Sequence, residues 1–143
     1  MHGPAAIAYA ASVLVLFLKA VVTISVQGLT RVRTRTFRHA EDAAHWGGTA
    51  PEREGDLVTR AQHVLRNDGE TQPFFLVFGA IYLAVGATPW AACVYFPAYA
   101  LARVVHTAFL LRPRQPHRNR AFGLGLLLTL AVGVHGLVAV LRS

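Results

Sequence analysis

Charge is scarce in this 143-residue chain: charged residues make up 15% of it, against about a quarter in an ordinary soluble domain. With 54% hydrophobic residues and a positive mean hydropathy, that shortage argues against a soluble domain and fits a small integral membrane protein. Only 7 acids oppose 14 Lys and Arg, for a formal charge of +7. The bases alternate with long apolar runs instead of forming one tract, which argues against a nucleic-acid partner. Cys93 is the only cysteine, so no intrachain disulfide is possible, and its place in an apolar run predicts a buried, inert thiol. Residues 1 to 18 contain no Lys or Arg, so the first apolar run lacks the basic start of a cleaved signal peptide. No phosphate loop, nucleophile motif or Ser-His-Asp arrangement is visible, and no histidine has a ligand-like spacing with carboxylates, so no metal site is expected.

What the chain does have is apolar runs of membrane length. About 20 helical residues at 1.5 Å each cross a ~30 Å hydrocarbon core. Ala5 to Val26 meets this with a single charge, Lys19, which either snorkels or faces partner helices. Thr30 to Asp56 is rich in Arg, Glu and Asp with Gly47, Gly48 and Pro51, and reads as a solvated loop in which Phe37 and Trp46 can dock on the bundle or at the headgroups. Leu57 to Val85 is the informative segment. Its purely apolar part, Pro73 to Val85, is 13 residues or roughly 20 Å, so Arg66, Asn67, Asp68 and Glu70 have to complete the span at the membrane edge. Pro73 cannot bond the carbonyl of Gly69, which predicts a kink beside that cluster. Trp90 to Leu111 is a third span, with Arg103 and His106 on one face, and Ala121 to Val140 a fourth, after the basic turn Arg112 to Arg120. The expected architecture is an all-α, integral-membrane bundle of four transmembrane helices in one domain, 1–143, with helices near 5–28, 57–86, 90–112 and 120–141 and a loop at 30–56.

The connections after helices one and three carry nine arginines, while that after helix two carries none, so the basic side is expected to be cytoplasmic. There Arg31, Arg33, His63, Arg66, Asn67, Glu70, His106, Arg118 and Asn119 converge, cations with one carboxylate among them. Such a set suits a ligand with two carboxylates and one ammonium, arginines taking the acids and Glu70 the amine. The spacing equally allows Arg66 and Glu70 to neutralise each other at i, i+4, and the basic turn to meet anionic lipid. Asp68 lies on a different face and reads as structural.

Laid out in order, Lys19; Arg31, Phe37 and Glu41-Asp42; Arg66-Asn67-Asp68 with Glu70-Thr71 and Pro73-Phe74; Arg103-Val104 with His106-Thr107; and Gln115-Pro116 with Arg118 resemble the family of membrane-associated proteins in eicosanoid and glutathione metabolism, over nearly the whole chain. The resemblance implies a four-helix subunit, a homotrimer, and glutathione bound between neighbouring subunits near the cytosolic face. By matching position it implies Arg31, Arg66, Asn67, Glu70 and His106 as glutathione contacts, Asn119 beside them, Arg118 near the sulfur as a catalytic group, and Asp42 in a supporting catalytic role. The sequence departs from the family at Leu110 and Phe122, where members carry tyrosines, and by a turn one residue shorter before Arg118. The expected function is a glutathione transferase, with glutathione peroxidase activity available to the same thiolate, acting on lipophilic electrophiles from the membrane lipid. A non-catalytic lipid-binding or scaffold member and a glutathione-dependent prostaglandin-endoperoxide isomerase stay open. The Ala- and Arg-rich composition points to a bacterial inner membrane.

Overall fold

The computed structural model describes residues 3–142 and holds, among them, five α-helices: α1 (Pro4–Thr34), α2 (Ala40–Trp46), α3 (Asp56–Ala84), α4 (Pro89–Leu111) and α5 (His117–Arg142). The apolar runs dictate the four long ones, because backbone surrounded by hydrocarbon has to satisfy its N–H and C=O groups within its own segment. By length and composition α1, α4 and α5 can each cross a membrane. At 29 residues α3 is long enough but carries its polar cluster midway, so three spans stand on composition where four were expected.

The largest departure from the expected boundaries is in the 30–56 segment. The first helix runs six residues past its predicted end at 28, to Thr34, with Arg31 and Arg33 in its last turn, where cations complement the helix dipole. Arg35, in the left-handed region at φ 51°, ends it. The supposed solvated loop then holds α2, which has Glu41 and Asp42 in its first turn and stops at Gly47 (φ 67°). The Gly48 amide closes that end onto the Ala43 carbonyl at 2.8 Å. Paired backbone bonds, Phe37 N–H to the Thr49 carbonyl and Thr49 N–H to the Arg35 carbonyl, bind the segment into a closed unit. A Cβ on Gly48 would lie 2.3 Å from the Arg35 carbonyl oxygen, so only glycine allows this approach. Phe37 is buried, beside Gly48, and Trp46 is exposed, which leaves it free to lie at the headgroups.

α3 stays helical through Pro73, so the proline does not end the segment. Around the bundle the long helices follow the order α1, α4, α5, α3, each packing on its two neighbours. Its centre is aromatic: Phe75 stacks on Tyr99 (3.6 Å, 9°) and meets Phe96 edge-on, and Phe96 also meets Tyr9 and Tyr82. Large apolar side chains such as Leu14, Phe17, Leu101 and Leu127 point outward, the pattern of helices bathed in lipid, where association depends on close packing and not on water exclusion. Cys93 is also exposed, which corrects the expectation of a buried thiol.

Close packing makes one testable demand. A Cβ on Gly79 would sit 2.5 Å from Tyr9 Cε2, and the Tyr9 ring is held by its hydroxyl, which donates to the Leu76 carbonyl at 2.8 Å. Gly79→Ala is therefore expected to destabilise the bundle by about 1–3 kcal/mol. Thermal unfolding in detergent checks this; an unchanged melting temperature would show that the ring yields freely.

Candidate functional site

Three helices each place one charge inside the bundle. Lys19 of α1 donates to Asp68 Oδ2, and Arg103 Nη2 of α4 donates to Asp68 Oδ1 at 2.7 Å and to Asn67 Oδ1 at 2.6 Å. All three charged side chains are buried, Arg103 to 1% exposure. An isolated charge at such depth costs several kcal/mol, and Asp68 between two cations removes most of that cost. The surplus positive charge faces an aromatic ring, since the Arg103 guanidinium carbon lies 5.9 Å from the centroid of Phe122, within cation–π range. Lys19 thus faces partner helices and does not snorkel.

Asn67, tied to this triad, also opens onto a cleft of about 300 Å³ between α3, α4 and α5. His63, His106, Leu110, Arg118, Asn119 and Phe122 complete its lining. Four of the expected site residues, Asn67, His106, Arg118 and Asn119, are therefore brought together. The half-buried Arg118 donates from Nε toward Asn119 Oδ1 at 3.4 Å, a weak bond, and with the Gln115 amide in its hydrogen-bonding orientation the Gln115 oxygen accepts from Arg118 Nη2 at 2.5 Å and Nε at 3.0 Å, which holds the guanidinium at the cleft. His106 is buried and its Nδ1 has no hydrogen-bond partner among the described residues. A buried ring nitrogen without a partner is costly to leave so, and this ring lines the cleft. Leu110 and Phe122 are walls of the same cleft, so both tyrosine replacements fall inside it.

Arg31 and Asp42 lie elsewhere. They line a second cleft of about 410 Å³ with Gln27, Phe37, Arg38 and Gln62, and Arg31 is held by Glu54 through Nε and Nη2, each at 2.6 Å. Glu54 also accepts from Gln62 Nε2. Arg66 and Glu70 line neither cleft: they pair with each other at 3.0 Å on the outer face of α3, with side chains 81% and 57% exposed. Within one chain the expected constellation is thus divided among three places, where the sequence reading had it meet at one mouth. Sequence reasoning passed over Gln27 and Gln62, which line the second cleft, because no local pattern marks a lone glutamine on each of two helices as neighbours. No group of three or more His, Cys, Asp or Glu side chains that could hold a metal occurs among the described residues.

Residues 5–138 match the family model described as "MAPEG family". The chain belongs to the MAPEG family. Among its MAPEG relatives, the prostaglandin E synthase of Macaca fascicularis is 35% identical, with 89% of this chain and 84% of that protein covered. The Homo sapiens prostaglandin E synthase is 34% identical over the same shares. A more distant relative, microsomal glutathione S-transferase 1 of Rattus norvegicus, is 28% identical over 92% of this chain and 88% of its own length. Membership and the three apolar helices together make this MAPEG chain a membrane protein.

Proposed function

We propose that the chain is an integral-membrane glutathione transferase that holds the glutathione thiolate beside Arg118 and presents it to lipophilic electrophiles arriving from the bilayer. The observation that carries this is the cleft that gathers Asn67, His106, Arg118 and Asn119 around a buried, unpartnered His106 nitrogen. Its polar groups are amide, imidazole and guanidinium, which suit an anionic, amide-rich ligand, and no carboxylate lines it to repel one. Its size is at the lower end of small-molecule sites.

When bound, glutathione supplies a nucleophilic sulfur. A free thiol titrates near ~8.5, and an adjacent guanidinium favours the thiolate. Arg118 has that role, while Asn67, His106 and Asn119 orient the tripeptide. Arg66 and Glu70 on the outer face, and Arg31 with Asp42 in the second cleft, join the site from a neighbouring copy in a homotrimer, the assembly that the family resemblance implies. The division of the constellation within one chain is consistent with a shared site. The arginine-rich connections support an orientation with the cleft toward the cytoplasm by the positive-inside tendency, in a bacterial inner membrane and with α3 as the fourth span.

The identities to prostaglandin E synthases favour a second reading, glutathione-dependent isomerisation of a prostaglandin endoperoxide. Leu110 and Phe122 weigh against it, since they take hydroxyls from the cleft wall. Purified in detergent, the wild-type protein is expected to bind glutathione by calorimetry and to conjugate it to an aryl halide. Binding with isomerase activity alone would replace the first reading by the second, and absence of binding would overturn both.

A further inference from the structure

All seven acidic residues of the chain lie between Glu41 and Glu70, so the half that follows has six arginines and no acid. None of the four ion pairs among the described residues involves Arg112, Arg114, Arg118 or Arg120. Counter-charge for this turn has to come from outside the chain. Arg118 faces the cleft described above, but Arg120, two residues on, projects from a different side of α5, since positions i and i+2 on a helix do not face each other.

Arg120 stands instead at the mouth of a separate groove of about 370 Å³ between α4 and α5. Its floor and walls are apolar, Ala98, Val105 and Phe109 on one side and Leu124 on the other, and its only polar residues are His117 and Arg120. These two lie at i, i+3 and share a face. The His117 ring packs on Phe109 with centroids 5.4 Å apart, which fixes it at the groove's polar end. From Ala98 to Phe109 the groove follows α4 for about 16 Å at 1.5 Å per residue, close to half of a ~30 Å hydrocarbon core and so the depth of one leaflet.

We infer that this groove binds one anionic phospholipid of the adjoining leaflet, its acyl chain between α4 and α5 and its headgroup phosphate on Arg120 and His117. Charge complementarity selects the headgroup, and the match of groove length to one leaflet selects a lipid already in the bilayer. The site is distinct from the glutathione cleft and keeps its own occupant whether or not glutathione is present.

The test places the full chain in phosphatidylcholine bilayers with lipids spin-labelled on the acyl chain, so that electron paramagnetic resonance reports the fraction immobilised on the protein. Labelled phosphatidylglycerol is expected to be held about fivefold more strongly than labelled phosphatidylcholine, the preference one interfacial cation gives. Combined Arg120→Gln and His117→Gln abolishes that preference, combined Arg112→Gln and Arg114→Gln preserves it, and Ala98→Phe lowers the immobilised fraction by filling the groove's inner end. Melting temperatures near wild type certify each variant as folded. Absence of preference in the wild type overturns the inference outright. Equal loss in the Arg112 and Arg114 variant reassigns the effect to diffuse surface charge and also overturns it. Equal retention of a labelled fatty acid makes the occupant a carboxylate amphiphile, and dissociation of the oligomer by Ala98→Phe makes the groove an interface between copies; either refutes a phospholipid site.

Discussion

Asp68→Ala is expected to cost roughly 3–5 kcal/mol, because it leaves Lys19 and Arg103 buried side by side with no counter-charge. In practice the variant should yield little monodisperse protein in detergent, and what survives should melt on the order of 10 °C lower. The penalty belongs to the unpaired cations and not to the loss of favourable pairing. Exchanging the whole set, Lys19→Met with Asp68→Leu and Arg103→Met, is therefore expected to recover much of the stability, since apolar residues of similar volume often replace a buried ionic triad at little cost. That triple variant should nonetheless bind glutathione poorly, because Asn67 loses the guanidinium that holds its amide. A melting temperature for Asp68→Ala within a degree or two of wild type would refute the view that the triad governs insertion and folding.

Arg118→Ala is expected to lower kcat for conjugation roughly 10²- to 10³-fold, the usual cost of removing one preorganised donor from developing or resident negative charge. Affinity for glutathione should change less, because Asn67, His106 and Asn119 remain. The pH dependence gives the more specific readout. A guanidinium beside the sulfur favours the thiolate, so in the wild type the acid limb of the rate profile lies below the ~8.5 of a free thiol, and in Arg118→Ala it moves up toward that value. Arg118→Lys keeps a cation without the planar fork and should recover the limb's position better than the rate. Identical profiles for wild type and Arg118→Ala would remove Arg118 from the chemistry.

Helices α1, α4 and α5 were legible because each rests on a long apolar run, a property of neighbouring residues, and α3 because its short apolar part has to be extended back through the polar cluster to reach membrane length. Membership of the bundle's interior was not, because in lipid the outward and inward faces are both apolar and no periodicity distinguishes them. Cys93 shows the consequence, being as apolar in context as a buried thiol yet facing out. Helix α2 was hidden by its composition: Glu41, Asp42, Gly47 and Gly48 read as loop formers, although acids in a first turn and glycine past a last turn are also the signals of a helix's two ends. Lys19, Asp68 and Arg103 were each conspicuous as charges in membrane-length segments. Their pairing depends on α1 lying against both α3 and α4, which no local pattern encodes. The bond from Arg31 to Glu54 likewise spans 23 residues across a segment taken for loop. The cleft residues came from motif spacing, and the fold gathered those whose helices start or end beside one another, α3 with α4 and α5.

The hydrogen bond between Arg103 and Asn67 also decides what the cleft can recognise. A free asparagine amide is ambidextrous, able to offer oxygen or nitrogen to a ligand by turning over. Here the oxygen already accepts from a buried guanidinium at 2.6 Å, so the amide is held from turning over and its N–H donors are the groups left to address the cleft first. With Arg118 a pure donor, these two points favour the acceptor oxygens of a ligand. The selectivity of the surface is in this way written by a charge in the core.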